Sequence, residues 1–498
     1  MLHDGARRQD ARTGRAGRTG AARGLISGAA AGAVAVAVVA GMVAACGTPT
    51  ERPVPRSPVP AGSGGPEPVD GLRLAVGDDG RHLVDEQGEP FFWLGDTAWS
   101  MPVNLDRDEV VAYLDTRAEQ GYNVVQTVAI FPQAGGPGPN RYGDRPFQGG
   151  LGGITVTEGA DPGDDTQYDY WDHIDFVVSE AAARDIRVAL LPAWSDKQVG
   201  ELLTEDNAAA YGAFLGERYG DQVIWVMGGD DTADDVEDVW RELARGIAVG
   251  ATGAEDYGTT LMTFHPLGDR SSVEWFHDDE WLDFNMIQGG HCLRYDVRRE
   301  LVDDAYGANP PKPFIDGEPI YEEHPYCWKP EDGFSTPADV RRDAYWAVFG
   351  GAAGHTYGHH SVWQFTNEDR PPRLGARGDW ESALDDEAAG QMRHLAALME
   401  GRDWWTGVPD QSIVTSDVGE GPSRLQATRA ADGAYAMVYS PDGAPFDADL
   451  SVLAGGTARL SWFDPRTGES ADAGTAPAGG STFTPPSRED WVLVAEPA

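Results

Sequence analysis

Val223-Ile-Trp-Val-Met-Gly-Gly-Asp230 is an apolar run that stops abruptly at a carboxylate, and Pro313-Phe-Ile-Asp-Gly-Glu318 repeats the pattern ninety residues later. Short runs rich in Val, Ile and aromatic residues are the signature of strands buried on both faces. Parallel strands of that kind end at the mouth of an α/β barrel, where the chemistry of that fold is placed. Two acids brought to one mouth from two strands are what cleavage of a glycosidic bond requires.

Working outward from these runs, apolar strands alternate with amphipathic helices from residue 80 onward. Strands are expected at 91–96, 123–129, 187–194, 223–229, 259–265, 282–287, 313–317 and 354–357. Helices are expected at 106–120, 168–184, 205–219, 234–247, 336–349 and 384–399, the first stopping at Gly121. Eight strand-then-helix steps predict a (β/α)8 barrel. An open doubly wound sheet would need a Gly-rich nucleotide turn after strand one, and Leu94-Gly-Asp-Thr-Ala-Trp99 is not one. The Gly/Pro/Asp-rich stretch 132–167 is too long for a plain connector and reads as a substrate loop. After residue 402 short alternating runs (423–427, 435–439, 458–463 and 491–495) between Gly, Asp and Pro turns predict a small all-β sandwich, 403–498.

The chain has 498 residues with 38 Lys+Arg against 81 Asp+Glu, a formal charge of −43. So acidic a surface repels phosphate backbones and argues against nucleic acid as a partner. Six Arg and two Asp fall in the first 46 residues, so the remainder is more acidic still. That Arg-rich stretch precedes a small-residue apolar run, 25–45, ending Val43-Ala44-Ala45-Cys46. It reads as a lipoprotein export signal, 1–46, with lipidation at Cys46 and an extracytoplasmic, membrane-anchored mature protein. A single spanning anchor is the alternative. Residues 47–68, rich in Pro, Gly and Ser, read as a tether, which leaves 69–402 for the barrel. An oxidising compartment permits a disulfide between the remaining cysteines, Cys292 and Cys327, across the mouth; two free buried thiols are the alternative.

The general acid of such a pair belongs in the more apolar setting, which raises its pKa. Asp230 is therefore expected as acid/base and Glu318 as nucleophile. A cap role for Asp230, with Asp231 beside it, and a choice among Glu318, Glu322 and Glu323 are the competing readings; spacing alone leaves Glu318 and Glu322 both open. Asp96 after strand one is a candidate hydrogen-bond acceptor for sugar hydroxyls. Trp99, Trp194 and Trp363 lie near strand ends, where aromatic faces stack on sugars, whereas Trp225 lies mid-strand and reads as core. His265, His291 and His355 end strands five, six and eight and are candidate contacts to substrate hydroxyls. His355 with His359 and His360 is the one cluster that suggests a metal-dependent hydrolase, but the His-x-His pair expected on strand one of such barrels is missing. No cofactor and no metal are expected.

Five stretches, Phe91–Trp99, Asn140-Arg-Tyr-Gly143, Tyr170–Asp175, Trp225–Asp230 and Asp316–Glu322, resemble the apiosidase-like glycoside hydrolases, family 140. The resemblance covers about residues 70–400. The tail stretches 437–439, 462–468 and 490–494 resemble the small β-domain of collagen-binding type that often follows this barrel. The resemblance implies a (β/α)8 fold, places the catalytic Asp and Glu on Asp230 and Glu318, and adds Tyr142 to the substrate contacts. Apiose release from branched pectin is implied for some members only, so the sugar stays open. A secreted, membrane-anchored glycosidase, retaining and exo-acting, cleaving a plant or microbial polysaccharide is the expectation. A non-catalytic glycan- or matrix-binding lipoprotein on a degenerate barrel is the alternative.

Overall fold

The computed structural model describes residues 65–66, 71–133 and 136–498, the side chains of residues 196 and 197 excepted. The export signal, Cys46 and all but two residues of the tether lie outside the described residues.

Eight parallel strands make the barrel: β1 (Trp93–Thr97), β2 (Val124–Val128), β3 (Arg187–Leu191), β4 (Val223–Gly228), β5 (Met262–His265), β6 (Asn285–Gln288), β7 (Phe314–Asp316) and β8 (Gly354–Tyr357). The ladder runs β5-β4-β3-β2-β1-β8-β7-β6. Asp283 N donates to Met262 O (2.9 Å) and Thr263 Oγ1 to Phe284 O (2.7 Å), which closes the ring between β5 and β6. Around it lie α1 (Arg107–Glu119), α2 (Tyr170–Ala182), α3 (Glu205–Tyr219), α4 (Glu237–Thr252), the single turn α5 (Val273–Phe276), α6 (Tyr295–Gly307), α7 (Pro337–Phe349) and α8 (Glu387–Glu400). Local sequence sets several starts: Asp106 with Glu109, Asp169 with Asp172 and Thr336 with Asp339 each form a reciprocal capping box.

Strand alternation decides which side chains reach the lumen. Trp93, Val124, Val128, Ala189, Leu191, Ile224, Val226, Met286 and Ile315 pack together inside the barrel. The intervening residues face the helices: Val125, Val188, Leu190, Trp225 and Met227 join the cluster containing α2, α3 and α4. Trp225 is fully buried there and donates to Gly220 O at 2.9 Å.

The tail forms a six-stranded antiparallel sheet from β9 (Gly407–Pro409), β10 (Gln426–Ala430), β11 (Ala436–Ser440), β13 (Thr457–Phe463), β14 (Ser470–Pro477) and β16 (Trp491–Pro497). The pair β12 (Phe446–Asp449) and β15 (Gly480–Phe483) packs on one face of it, around Val438, Leu460, Trp462 and Leu493. The other face, with Met437, Tyr439, Val492 and Val494, packs on α7 and α8. Tyr345 stacks on Tyr439 with ring centroids 4.8 Å apart, and Arg341 makes a buried two-armed pair with Asp490 (2.8 Å each). The tail is thus braced against the helices behind β7 and β8, away from the mouth.

Candidate active site

Three consecutive residues with positive φ, Gly228 (88°), Gly229 (119°) and Asp230 (57°), end β4. Both glycines are required by space as well as by φ. A Cβ on Gly228 would meet His265 O at 2.2 Å, and one on Gly229 would meet the Trp194 ring at 2.9 Å. The left-handed conformation of Asp230 costs about 1 kcal/mol or more, and such strain concentrates at functional positions. It turns the carboxyl so that Asp230 Oδ1 accepts from Gln288 Nε2 (3.3 Å) at the end of β6.

After β7 the chain is clamped rather than strained. Gly317 O accepts from Gln126 Nε2 of β2 (2.7 Å), and Glu318 O accepts from Gly290 N (3.0 Å). The Glu318 side chain, 5% exposed, then meets two donors and a third ring. Tyr321 Oη donates to Oε1 at 2.6 Å, and His291 Nε2 donates to the same oxygen at 3.1 Å. A third ring, His265, brings Nε2 to 3.0 Å from Oε2 without hydrogen-bond alignment. Tyr321 is itself held by Trp99 Nε1 (2.7 Å).

These environments drive the two carboxyls apart. Burial first, then repulsion from Glu318, push Asp230 above the usual carboxylate range; His265, Gln288 and His291 only partly offset this. Burial alone would also raise Glu318, but the contacts from His265 and His291 outweigh it and hold the carboxyl down at about 2. The pocket therefore contains one carboxyl biased toward keeping its proton and one that stays ionised, the division of labour expected of an acid and a nucleophile. Trp99, Trp194 and His265 pack together beside Glu318, with ring centroids 5.1 to 5.7 Å apart.

Several predicted contacts lie elsewhere. Trp93 donates to Thr356 Oγ1 inside the barrel, so the neighbouring positions Asp96 and His355 fall on the outer face. Asp96 is fully buried and accepts from Tyr113 Oη and Arg117 Nε of α1, both at 2.6 Å; it braces the barrel and offers nothing to a sugar. His355 is fully buried under the helices, which pushes its imidazole down to about 3 and keeps it neutral. Tyr142 is 40% exposed, accepts from Arg107 N (2.9 Å) and packs edge-on to Tyr168 and His173. Among the described residues of 132–167, no hydrogen bond or ring contact reaches Asp230 or Glu318.

The other acids are engaged outside the pocket. Glu322 accepts from Tyr357 Oη (2.7 Å) and Ala388 N (3.0 Å), and Glu323 pairs with Arg377. Asp231 accepts from Thr232 N. The histidines of the metal reading do not converge. His359 is held by Asp386 (2.8 Å) and Ser361 N, and His360 by Leu374 O (3.0 Å) and Trp363 Nε1 (3.3 Å). Among the described residues no group of three His, Cys, Asp or Glu is placed to hold a metal ion. Cys292 and Cys327 are joined by a disulfide that links the loops after β6 and β7. Tyr321, Gln126 and Gln288 went unrecognised in the sequence. Tyr321 falls within the Asp316–Glu322 stretch, and each glutamine projects from a strand inward at the mouth, a parity legible only once register is known.

Asp230 and Glu318 thus stand just after β4 and β7 of a parallel barrel, and comparison with known proteins supplies the class. Residues 77–406 match the family described as "Apiosidase-like, catalytic domain", and residues 408–496 match the "Putative collagen-binding domain of a collagenase". A solved structure titled "Glycoside hydrolase" is 34% identical with a TM-score of 0.78, covering 86% of this chain and 97% of its own. A protein described as a glycoside hydrolase family 5 member from Bacteroides vulgatus ATCC 8482 is 36% identical with a TM-score of 0.77, covering 85% and 93%. No curated protein sequence matches the chain. The chain belongs to the apiosidase-like family of glycoside hydrolases.

Proposed function

We propose that this glycoside hydrolase is a retaining, exo-acting glycosidase in which Glu318 is the nucleophile and Asp230 the acid/base. In the first step a Glu318 oxygen bonds to the anomeric carbon as the glycosidic C–O bond breaks, and the Asp230 proton passes to the departing oxygen. In the second, Asp230, now ionised, takes a proton from water, whose oxygen attacks the anomeric carbon and releases Glu318. The observation that carries this reading is the placement of the two carboxyls after β4 and β7 in opposite settings: Glu318 held by Tyr321 and His291 beside His265, Asp230 met by Gln288 and raised by burial and by the Glu318 charge. Exo action is supported by the depth of Glu318, walled by buried Trp99, Trp194 and His265, which suits a chain end better than a crossing chain.

The family name makes apiosides the first substrates to assay. The test is incubation of the full chain with a panel of plant and microbial polysaccharides and aryl glycosides, with identification of the released sugar. Asp230→Ala and Glu318→Ala are each expected to lower turnover by several orders of magnitude; near-normal turnover in both refutes the mechanism. We place the mature protein on the outer face of the cell membrane, anchored through lipidated Cys46. The Arg-rich stretch, apolar run and Val-Ala-Ala-Cys sequence support this, as does a disulfide, which persists in oxidising compartments. Cys46→Ala is expected to move the protein from the membrane fraction to the soluble one; unchanged fractionation refutes the anchor.

A further inference from the structure

Beside the pocket stands a tryptophan that core packing does not explain. Trp328, in the loop after β7, is 45% exposed, the one tryptophan among the exposed large hydrophobic side chains of the described residues. Its backbone is held there against local preference. Cys327 (φ 51°) and Trp328 (φ 63°) are both left-handed, a conformation that side-chain-bearing residues adopt at a cost in strain. Two ties enforce it: the Cys292–Cys327 disulfide and the bond from Cys327 N to His291 O (2.9 Å). The result is an indole standing at the rim rather than folded into the core.

The indole plane stands steeply inclined to the rings of His324 (ring centroids 4.4 Å, 82°), His291 (5.4 Å, 81°) and His360 (5.9 Å, 71°). His324 and His360 are neutral, because burial pushes both well below the ordinary imidazole range, His360 to about 3. Two of the three rings against the indole therefore carry no charge. His291 touches both ends of the arrangement: it packs on Trp328 and donates to Glu318 Oε1 (3.1 Å). Trp328 thus lies one side chain away from Glu318, on the exposed side of His291.

We propose that Trp328 is the stacking platform of a leaving-group subsite, taking the apolar C–H face of the sugar ring next to the bond that is cut. This rests on the exo-glycosidase reading above: a terminal sugar fills the enclosed pocket, so a ring at the rim belongs to the remainder of the glycan. An exposed, rigid aromatic face with few rotamers to lose suits a neutral sugar ring.

The test compares full-length wild type, Trp328→Ala and Trp328→Phe on two kinds of substrate. The first is a panel of plant and microbial oligosaccharides; the second is glycosyl fluorides of the sugars released, whose leaving group is too small to reach the rim. Trp328→Ala is expected to raise KM for the oligosaccharide about tenfold, equivalent to about 1.4 kcal/mol, with kcat little changed. Constants on the fluoride should stay within roughly twofold and Trp328→Phe should restore most of the oligosaccharide KM, since a ring rather than an indole N–H is what stacking needs. Unchanged KM on the oligosaccharide, or equal losses on both substrates, overturns the subsite while leaving the glycosidase intact. Failure of the wild type to cleave any member of either set overturns the glycosidase reading and the subsite with it.

Discussion

Replacing His291 by Ala isolates one of the contacts that keep Glu318 ionised. His291 Nε2 donates to Glu318 Oε1 at 3.1 Å, and with His265 it outweighs burial to hold the carboxyl at about 2. A hydrogen bond to a charged group contributes roughly 1.5–3 kcal/mol, and about 1.4 kcal/mol corresponds to one pKa unit. Loss of this donor is therefore expected to raise the Glu318 pKa by about one to two units, to roughly 3–4. The sign follows from the charge. A depressed carboxyl is ionised across the working range, and raising its pKa moves the acid limb of kcat/KM up toward neutral pH. The assay is kcat/KM on a chromogenic aryl glycoside from acid to neutral pH, with circular dichroism at each pH to confirm that the fold persists. At neutral pH the variant also loses an orienting contact, and turnover is expected to fall by about ten- to a hundredfold. An acid limb superimposable on that of the wild type would refute the argument that His291 maintains the nucleophile's charge.

Asp230, raised by burial and by Glu318, should give kcat/KM a falling limb on the alkaline side as its proton is lost. Asp230→Asn should abolish that limb; its persistence would assign it to another group. Gly228→Ala forces a Cβ to within 2.2 Å of His265 O, so β4 and β5 must separate at their ends. Activity should fall by about a hundredfold or more, since catalytic groups displaced by about 1 Å lose that much; near-wild-type turnover would show that the turn tolerates repacking. Arg341→Ala leaves the buried Asp490 carboxylate without its two-armed partner, keeping only Tyr439 Oη at 3.3 Å. Urea denaturation should show a loss of about 3–5 kcal/mol, whereas a change below about 1 kcal/mol would mean that the tail is not braced through this pair.

Most of the barrel strands were legible because they are buried apolar runs whose pattern survives without knowledge of their neighbours; the eighth, Gly354-His-Thr-Tyr357, is the weakest of them. The end of β4 at Gly228 and the position of β8 follow the run lengths closely. Helix α6, at 295–307, was not anticipated: its acidic and basic residues obscure the apolar stripe of Leu301, Val302 and Ala305. In the tail, β14 carries exposed residues along nearly its whole length and offers no alternation to read. The site was harder, because membership depends on strand parity and loop path. Asp96 and His355 sit one residue out of phase with the lumen, so proximity to a strand end misled where register decides. Glu318 and Glu322 differ only in where the loop carries them: Glu318 to the histidines, Glu322 to Tyr357 and α8. Trp328 reaches the rim through the disulfide, whose pairing was legible, and through two left-handed residues, which no local pattern reveals.

The central claim, that Glu318 forms the bond to the sugar and Asp230 handles the proton, is tested most directly by azide rescue of the two alanine variants on a reactive aryl glycoside. Azide entering after a covalent intermediate restores turnover of Asp230→Ala and yields a glycosyl azide of the substrate's own anomeric configuration. In Glu318→Ala azide takes the nucleophile's place and yields the opposite anomer. Proton magnetic resonance of the two products reads the outcome. The same anomer from both variants, the reverse assignment, or rescue of neither would contradict the account.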